Sequence, residues 1–147
     1  MENNNEIDNT VNKIPKLKIN TRSLIISKTM SGKSVLIRNL LYNLLNTYDI
    51  SFIVLFSETA GLKCENEYEF IGKKNIMEYS ETKLKKIMKY QDKKITKTNK
   101  NYGIIIFDDI TGDSKRFPQI NKLFAQSRHL NITTLAGFQY SSSGLLN

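Results

Sequence analysis

Cysteine occurs once in the 147 residues, at Cys64, which excludes a disulfide framework and a four-cysteine zinc site. A lone cysteine also suits a reducing compartment. Histidine occurs once, at His129, so a histidine-rich metal centre is excluded as well. Apolar runs are short, and none approaches the ~18–20 residues needed to cross a membrane. Residues 1–12 are Asn-rich and acidic, without the apolar stretch of a secretory signal. These absences predict a soluble protein inside a cell. Arginine is scarce too, with four among the 22 basic residues.

Lys (18), Asn (16) and Ile (18) together supply 52 of the 147 residues. Against 14 acidic residues the chain carries a net charge of +8. Such a balance invites a polyanionic partner. An AT-rich coding sequence produces the same drift toward Lys and Asn, so charge alone is a weak pointer. The length fits one domain, and a chain near 150 residues can bury about 68–70% of its unfolded surface.

Residues 1–20 are polar, contain Pro15 and show no sustained apolar period, which predicts a flexible arm before a domain spanning 21–147. Ser23–Ile26, Ser51–Phe56, Tyr102–Phe107 and Asn131–Gly137 read as strands. Between them, Val35, Leu36, Leu40, Leu41, Leu44 and Leu45 form one apolar helical stripe. Leu84, Ile87, Met88 and Gln91 form a second, and a third helix spans Pro118–Ser127 with Pro near its start. A long polar connection containing Gly61 and Gly72 follows the second strand. Near-continuous apolar strands alternating with helices predict an α/β fold with a mainly parallel central sheet covered on both faces. Ligands of such sheets bind at the carboxyl ends of the strands.

The turn after the first strand, Ser27-Lys28-Thr29-Met30-Ser31-Gly32-Lys33-Ser34, follows the phosphate-loop pattern at Gly32, Lys33 and Ser34. It departs at Ser27, where the pattern has glycine. In that pattern backbone N–H groups and the following helix N-terminus converge on phosphates. Gly32 permits close approach, Lys33 supplies a point charge, and Ser34 offers a hydroxyl to Mg²⁺. By itself the tripeptide also fits a plain turn; strand before and helix after are the context the pattern demands. Asp108-Asp109 closes the third strand. Asp108 fits a Mg²⁺ carboxylate, usually acting through water, and Asp109 is placed to orient and polarise an attacking water. Asp is equally at home in turns.

Gln139, just past the fourth strand, reads either as a sensor of the γ-phosphate or as a plain surface residue. Arg128 reads as a finger acting on a neighbouring subunit's nucleotide, or as a helix cap or acid partner. His129 has no acid–base partner in sequence and reads as structural. Lys83–Lys100 holds eight lysines and one acid, Asp92. That segment suits either a DNA backbone or a solvated face, and with only Tyr90 interleaved it gives little support for base stacking.

Three stretches, Ile25–Ser34 (IISKTMSGKS), Ile104–Asp109 (IIIFDD) and above all Phe124–Gln139 (FAQSRHLNITTLAGFQ), resemble the poxvirus-type DNA-packaging ATPases of nucleocytoplasmic large DNA viruses, in the FtsK–HerA superfamily. The resemblance runs from about Arg22 to Gln139. It implies a three-layer, RecA-like P-loop ATPase that assembles into a ring and drives double-stranded DNA into a capsid. By that resemblance ATP and Mg²⁺ bind at Ser27–Ser34, with Ser34 and Asp108 toward the metal, and Asp109, Gln139 and Arg128 serve catalysis. Capsid or other packaging proteins would be partners, no membrane is involved, and the chain would work in the host cytoplasm or the virion. An AT-rich viral genome would also account for the Lys/Asn/Ile skew.

The family's core runs past the sensor strand into at least one more strand and helix, whereas this sequence stops at Asn147. The sheet is therefore expected to lack the strand flanking the first one, as in a fragment, a split-gene product or a degraded copy. Two other functions compete with the motor. One is a truncated paralogue or motor partner that binds nucleotide without turnover, which Ser27 and the early stop favour. The other is a P-loop kinase, disfavoured because only Arg116 and Arg128 lie downstream of the second strand to arm a lid.

Overall fold

Alternating burial along a strand decides which layer each residue joins, and here the apolar runs are apolar on both faces. In the computed structural model, which describes residues 14–28, 30–59, 67–110 and 117–139, Ile104 and Ile106 face one layer of helix. Ile105 and Phe107 face the other. Side chains alternate with a period of two, so the unbroken YGIIIF run is a strand buried from both sides.

In chain order the elements are β1 (Arg22–Ser27), α1 (Lys33–Thr47), β2 (Phe52–Ser57), a 3₁₀ turn (Lys73–Asn75), β3 (Ile76–Met77), α2 (Glu81–Lys94), β4 (Gly103–Ile110), α3 (Pro118–Gln126) and β5 (Ile132–Gln139). The five strands make one sheet in the order β1-β5-β4-β2-β3. Every pairing is parallel. The connection from β1 to β2 therefore passes over two strands, and all carboxyl ends lie along one edge. Among the described strands β1 stands at one border of the sheet; its Leu24 and Ile26 are 55% and 58% exposed.

Helix α1 covers one face through Ile37, Leu40, Leu41 and Leu44, joined by Tyr68 and Ile71 from the connection after β2. Helices α2 and α3 cover the other through Leu84, Met88, Ile120 and Leu123. Ser80 caps α2 by accepting the Lys83 N–H, and Glu81 lies in the first turn, favourable to the helix dipole. Pro118 starts α3, where a missing N–H costs nothing. Glu81 also joins the two helices: its carboxylate accepts the Tyr79 hydroxyl at 2.5 Å and the Gln119 N–H at 2.9 Å. Burial, and then the bond and charge of Glu81, push the Tyr79 hydroxyl to a higher pKa than a free phenol. Gln91, on the apolar stripe of α2, is fully buried and donates to the carbonyls of Leu130, at 2.9 Å, and Asn101.

The described elements differ from the sequence expectation in detail. The strands run one to three residues further toward the carboxyl edge, and the polar connection contains the two-residue β3. Of the expected arm, residues 1–13 lie outside the described residues. Leu17 packs against the α1-side cluster, and the Asn20 N–H donates to Thr133 Oγ1 at 2.8 Å. Cys64 and Arg116 also lie outside them.

Candidate active site

The turn from β1 to α1 sits at the carboxyl edge of the sheet, where parallel α/β sheets take ligands. Gly32 is the N-cap of α1 with φ +84°, a backbone state that glycine adopts freely. Among the described residues no side chain caps this helix, and no acid lies in its first turn. That contrasts with α2, whose N-terminus is both capped and acidic. The first N–H groups of α1 lack intrahelical partners by geometry, so the positive end of its dipole is left for an anion from elsewhere. Met30 precedes it at φ +60° and is 99% exposed. Ser27 ends β1 in register with Gln139 on β5. Its Oγ is buried without a hydrogen-bond partner among the described residues. Lys28 and Ser31 are exposed and Ser34 half-buried, whereas Thr29 lies outside the described residues.

Lys33 does not point into solvent. It is 7% exposed, and its Nζ lies 3.2 Å from Asp109 Oδ1 and 3.7 Å from Asp108 Oδ1. To reach β4 from α1 the side chain must cross β5. It does so over Gly137, where an added Cβ would stand 2.9 Å from Lys33 Cδ and 2.8 Å from Ile37 Cδ1. Glycine at this strand position clears the path of the lysine stem, one of the reasons a strand tolerates glycine.

Adjacent residues of a regular strand face opposite sides, so Asp108 and Asp109 should not meet one ammonium group. A β-bulge brings them together. Phe107 pairs with Ala136 and Ile110 with Phe138, so Asp108 and Asp109 both stand opposite the single residue Gly137. Asp109 adopts φ +54° within this bulge, a conformation that Asp accepts more readily than most residues. Bulges re-aim side chains in this way beside functional sites. Asp108 is 1% exposed, pairs in register with Ser57 of β2, and accepts the Asp109 N–H at 3.1 Å and the Tyr68 hydroxyl at 2.8 Å.

The phosphate-loop residues, Asp108, Asp109 and the backbone of Gln139 thus share one edge, with Lys33 joined to both carboxylates. Arg128 is elsewhere. It is exposed in the turn after α3, its carbonyl accepting the Asn131 N–H at 3.3 Å, at the amino end of β5. With eight residues in β5, that is roughly 25 Å from the carboxyl edge. Tyr68, Gly137 and the bulge were not expected from sequence; the glycine inside a strand pattern was the one available signal.

The oxygen-rich donors near the loop suit Mg²⁺, which is usually held by one or two carboxylates together with waters and substrate phosphates. Among the described residues no cluster of three or more His, Cys, Asp or Glu could hold a metal ion by itself. No helix among them is long and apolar enough to cross a membrane.

Solved structures share this fold. The cytoplasmic domain of the Thermomonospora curvata Type VII secretion ATPase EccC matches with a TM-score of 0.59 at 14% identity over 84% of this chain. The pCW3 conjugation coupling protein TcpA, a monomer form with ATPγS, matches with a TM-score of 0.50 at 16% identity over 82%. The present chain spans 17% and 42% of those two chains. No curated protein matches it in sequence. The family model described as Poxvirus A32 protein matches residues 11–140, which include the loop, the acid pair and the whole of β5. The chain belongs to the poxvirus A32 protein family.

Proposed function

We propose that the chain is the ATP-hydrolysing core of a motor that moves double-stranded DNA, as in viral genome packaging. The observation that carries the proposal is the meeting of Lys33 with Asp108 and Asp109 beside an N-terminus of α1 that lacks a side-chain cap. Family membership and the ATPase fold relatives agree with it.

In this reading the triphosphate docks on the loop Ser27–Ser34 and the first turn of α1. Lys33 turns from Asp109 toward the β- and γ-phosphates, exchanging one anion for another inside a mostly buried setting. Ser34 and Asp108 would hold Mg²⁺, which supplies charge neutralisation on the phosphates when bound. Release of Lys33 leaves the Asp109 carboxylate beside the γ-phosphate side of the loop, where it orients the attacking water and accepts its proton. Gln139 ends the strand paired with β1 and is assigned the sensor role. Arg128, distant from its own loop, serves only if a neighbouring subunit receives it. The exposed apolar side chains of Leu24 and Ile26 on β1 support assembly with further polypeptide, a ring included. The residue ranges 1–20 for an arm and 21–147 for the domain, packaging proteins as partners, and residence in host cytoplasm or virion belong to the same reading.

The test is equilibrium binding of a fluorescent ATP analogue with Mg²⁺, followed by single-turnover hydrolysis. Native protein binds and hydrolyses, while Lys33→Ala loses binding. A folded native sample that binds no nucleotide would overturn the proposal. Binding without hydrolysis would leave a nucleotide-binding partner subunit, and Asp109 would lose its role.

A further inference from the structure

Tyr68 lies in the connection between β2 and β3 and is fully buried. Its ring belongs to the cluster of Ile37, Leu40, Leu41 and Leu44 that holds α1 to the sheet. Two hydrogen bonds to backbone carbonyls, one at its neighbour Glu67 and one its own, hold the segment in place. The Glu67 carbonyl accepts from Arg38 Nη1 of α1 at 3.3 Å, and the Tyr68 carbonyl accepts the Ile71 N–H at 2.8 Å. Phenylalanine would fill the same apolar space without a hydroxyl to desolvate. Burying the hydroxyl is costly unless it is bonded. Here it donates to Asp108 Oδ2 at 2.8 Å, across 40 residues of sequence.

That bond makes the two oxygens of Asp108 inequivalent. Oδ2 is held from the α1 side by Tyr68. Oδ1 accepts the Asp109 N–H at 3.1 Å and faces Lys33 Nζ at 3.7 Å. We infer that Tyr68 is a positioning residue: its hydroxyl holds the Asp108 carboxylate in the rotamer that presents Oδ1 to the phosphate loop and to Mg²⁺. The inference rests on the proposed nucleotide site. It ties the β2–β3 connection and α1 to that site through the hydroxyl–carboxylate bond.

Hydrogen-bond partners of metal-holding groups typically change metal affinity about 10–100-fold when removed. The experiment titrates Mg²⁺ into protein with a fluorescent ATP analogue and reads nucleotide binding, with an EDTA arm and a thermal melt for each variant. Tyr68→Phe should need about tenfold more Mg²⁺ or above, with binding in EDTA unchanged. Ile71→Val trims the same cluster (Ile71 is 2% exposed) and should lower the melting temperature without moving the Mg²⁺ midpoint. In an Asp108→Asn background, Tyr68→Phe should add nothing further. An unshifted midpoint in Tyr68→Phe, an equal shift in Ile71→Val, or a full extra shift in the Asp108→Asn background would each overturn the inference. Native protein lacking any Mg²⁺-dependent nucleotide binding would overturn the proposed site itself.

Discussion

Two carboxylates on consecutive residues repel one another unless a cation stands between them, and Lys33 occupies that place at 3.2 and 3.7 Å. The arrangement depends on residues that carry no charge. Gly137→Ala would put a methyl group 2.9 Å from Lys33 Cδ, forcing the lysine stem aside. We expect nucleotide affinity to fall by about tenfold, with roughly 1–3 kcal/mol of stability lost to overpacking. A nucleotide titration beside a denaturant melt checks both, and unchanged affinity would show that Lys33 does not need this path. Asp109 is the complementary case. Its φ of +54° suits Asn as well as Asp, so Asp109→Asn should melt close to native. Loss of the water-orienting carboxylate should slow turnover by about 10²–10⁴-fold, while nucleotide still binds. Turnover near the native rate in that variant would remove Asp109 from the mechanism.

Among the elements, α2 and α3 are joined at their N-termini by one residue. Glu81 accepts from Tyr79 and from the Gln119 N–H, so Glu81→Ala strands two donors. The expected cost is about 2 kcal/mol, read as a fall of roughly 5 °C in the melting temperature. Sequence periodicity revealed the long elements because each buries a regular stripe: Leu40, Leu41 and Leu44 on α1, Leu84, Met88 and Gln91 on α2, Ile104–Phe107 on β4. It missed β3, since two residues show no period. The loop Ser27–Ser34 and the acid pair were legible as local motifs. The bulge was not, because it is a relation between β4 and β5 and shows only in their register. Tyr68 escaped for a related reason: its partner Asp108 is 40 residues away, and an isolated Tyr in a polar stretch carries no pattern.

For the molecule as a whole, charge is distributed unevenly. Lys33 is paired with two carboxylates, whereas the lysines of α2 make no ion pair among the described residues. Lys85 and Lys89 of α2 face Lys122 of α3 across a groove of about 400 Å³, with Asp92 the one acid in the lining. In the proposed motor this groove lies on the face opposite α1 and is the first surface to examine for binding of the duplex backbone. Replacing Lys85, Lys89 and Lys122 with Gln should flatten the salt dependence of DNA binding, the log–log slope falling by about 0.9 for each phosphate that is no longer neutralised. An unchanged slope would place the DNA on another face. A DNA motor couples nucleotide chemistry to the duplex, so the decisive measurement is Mg²⁺-dependent ATP hydrolysis with and without double-stranded DNA, at low and high salt. DNA should stimulate turnover, added salt should weaken that stimulation, and Lys33→Ala should abolish hydrolysis. Hydrolysis indifferent to DNA at both salt concentrations, or equal in Lys33→Ala, would contradict the motor reading.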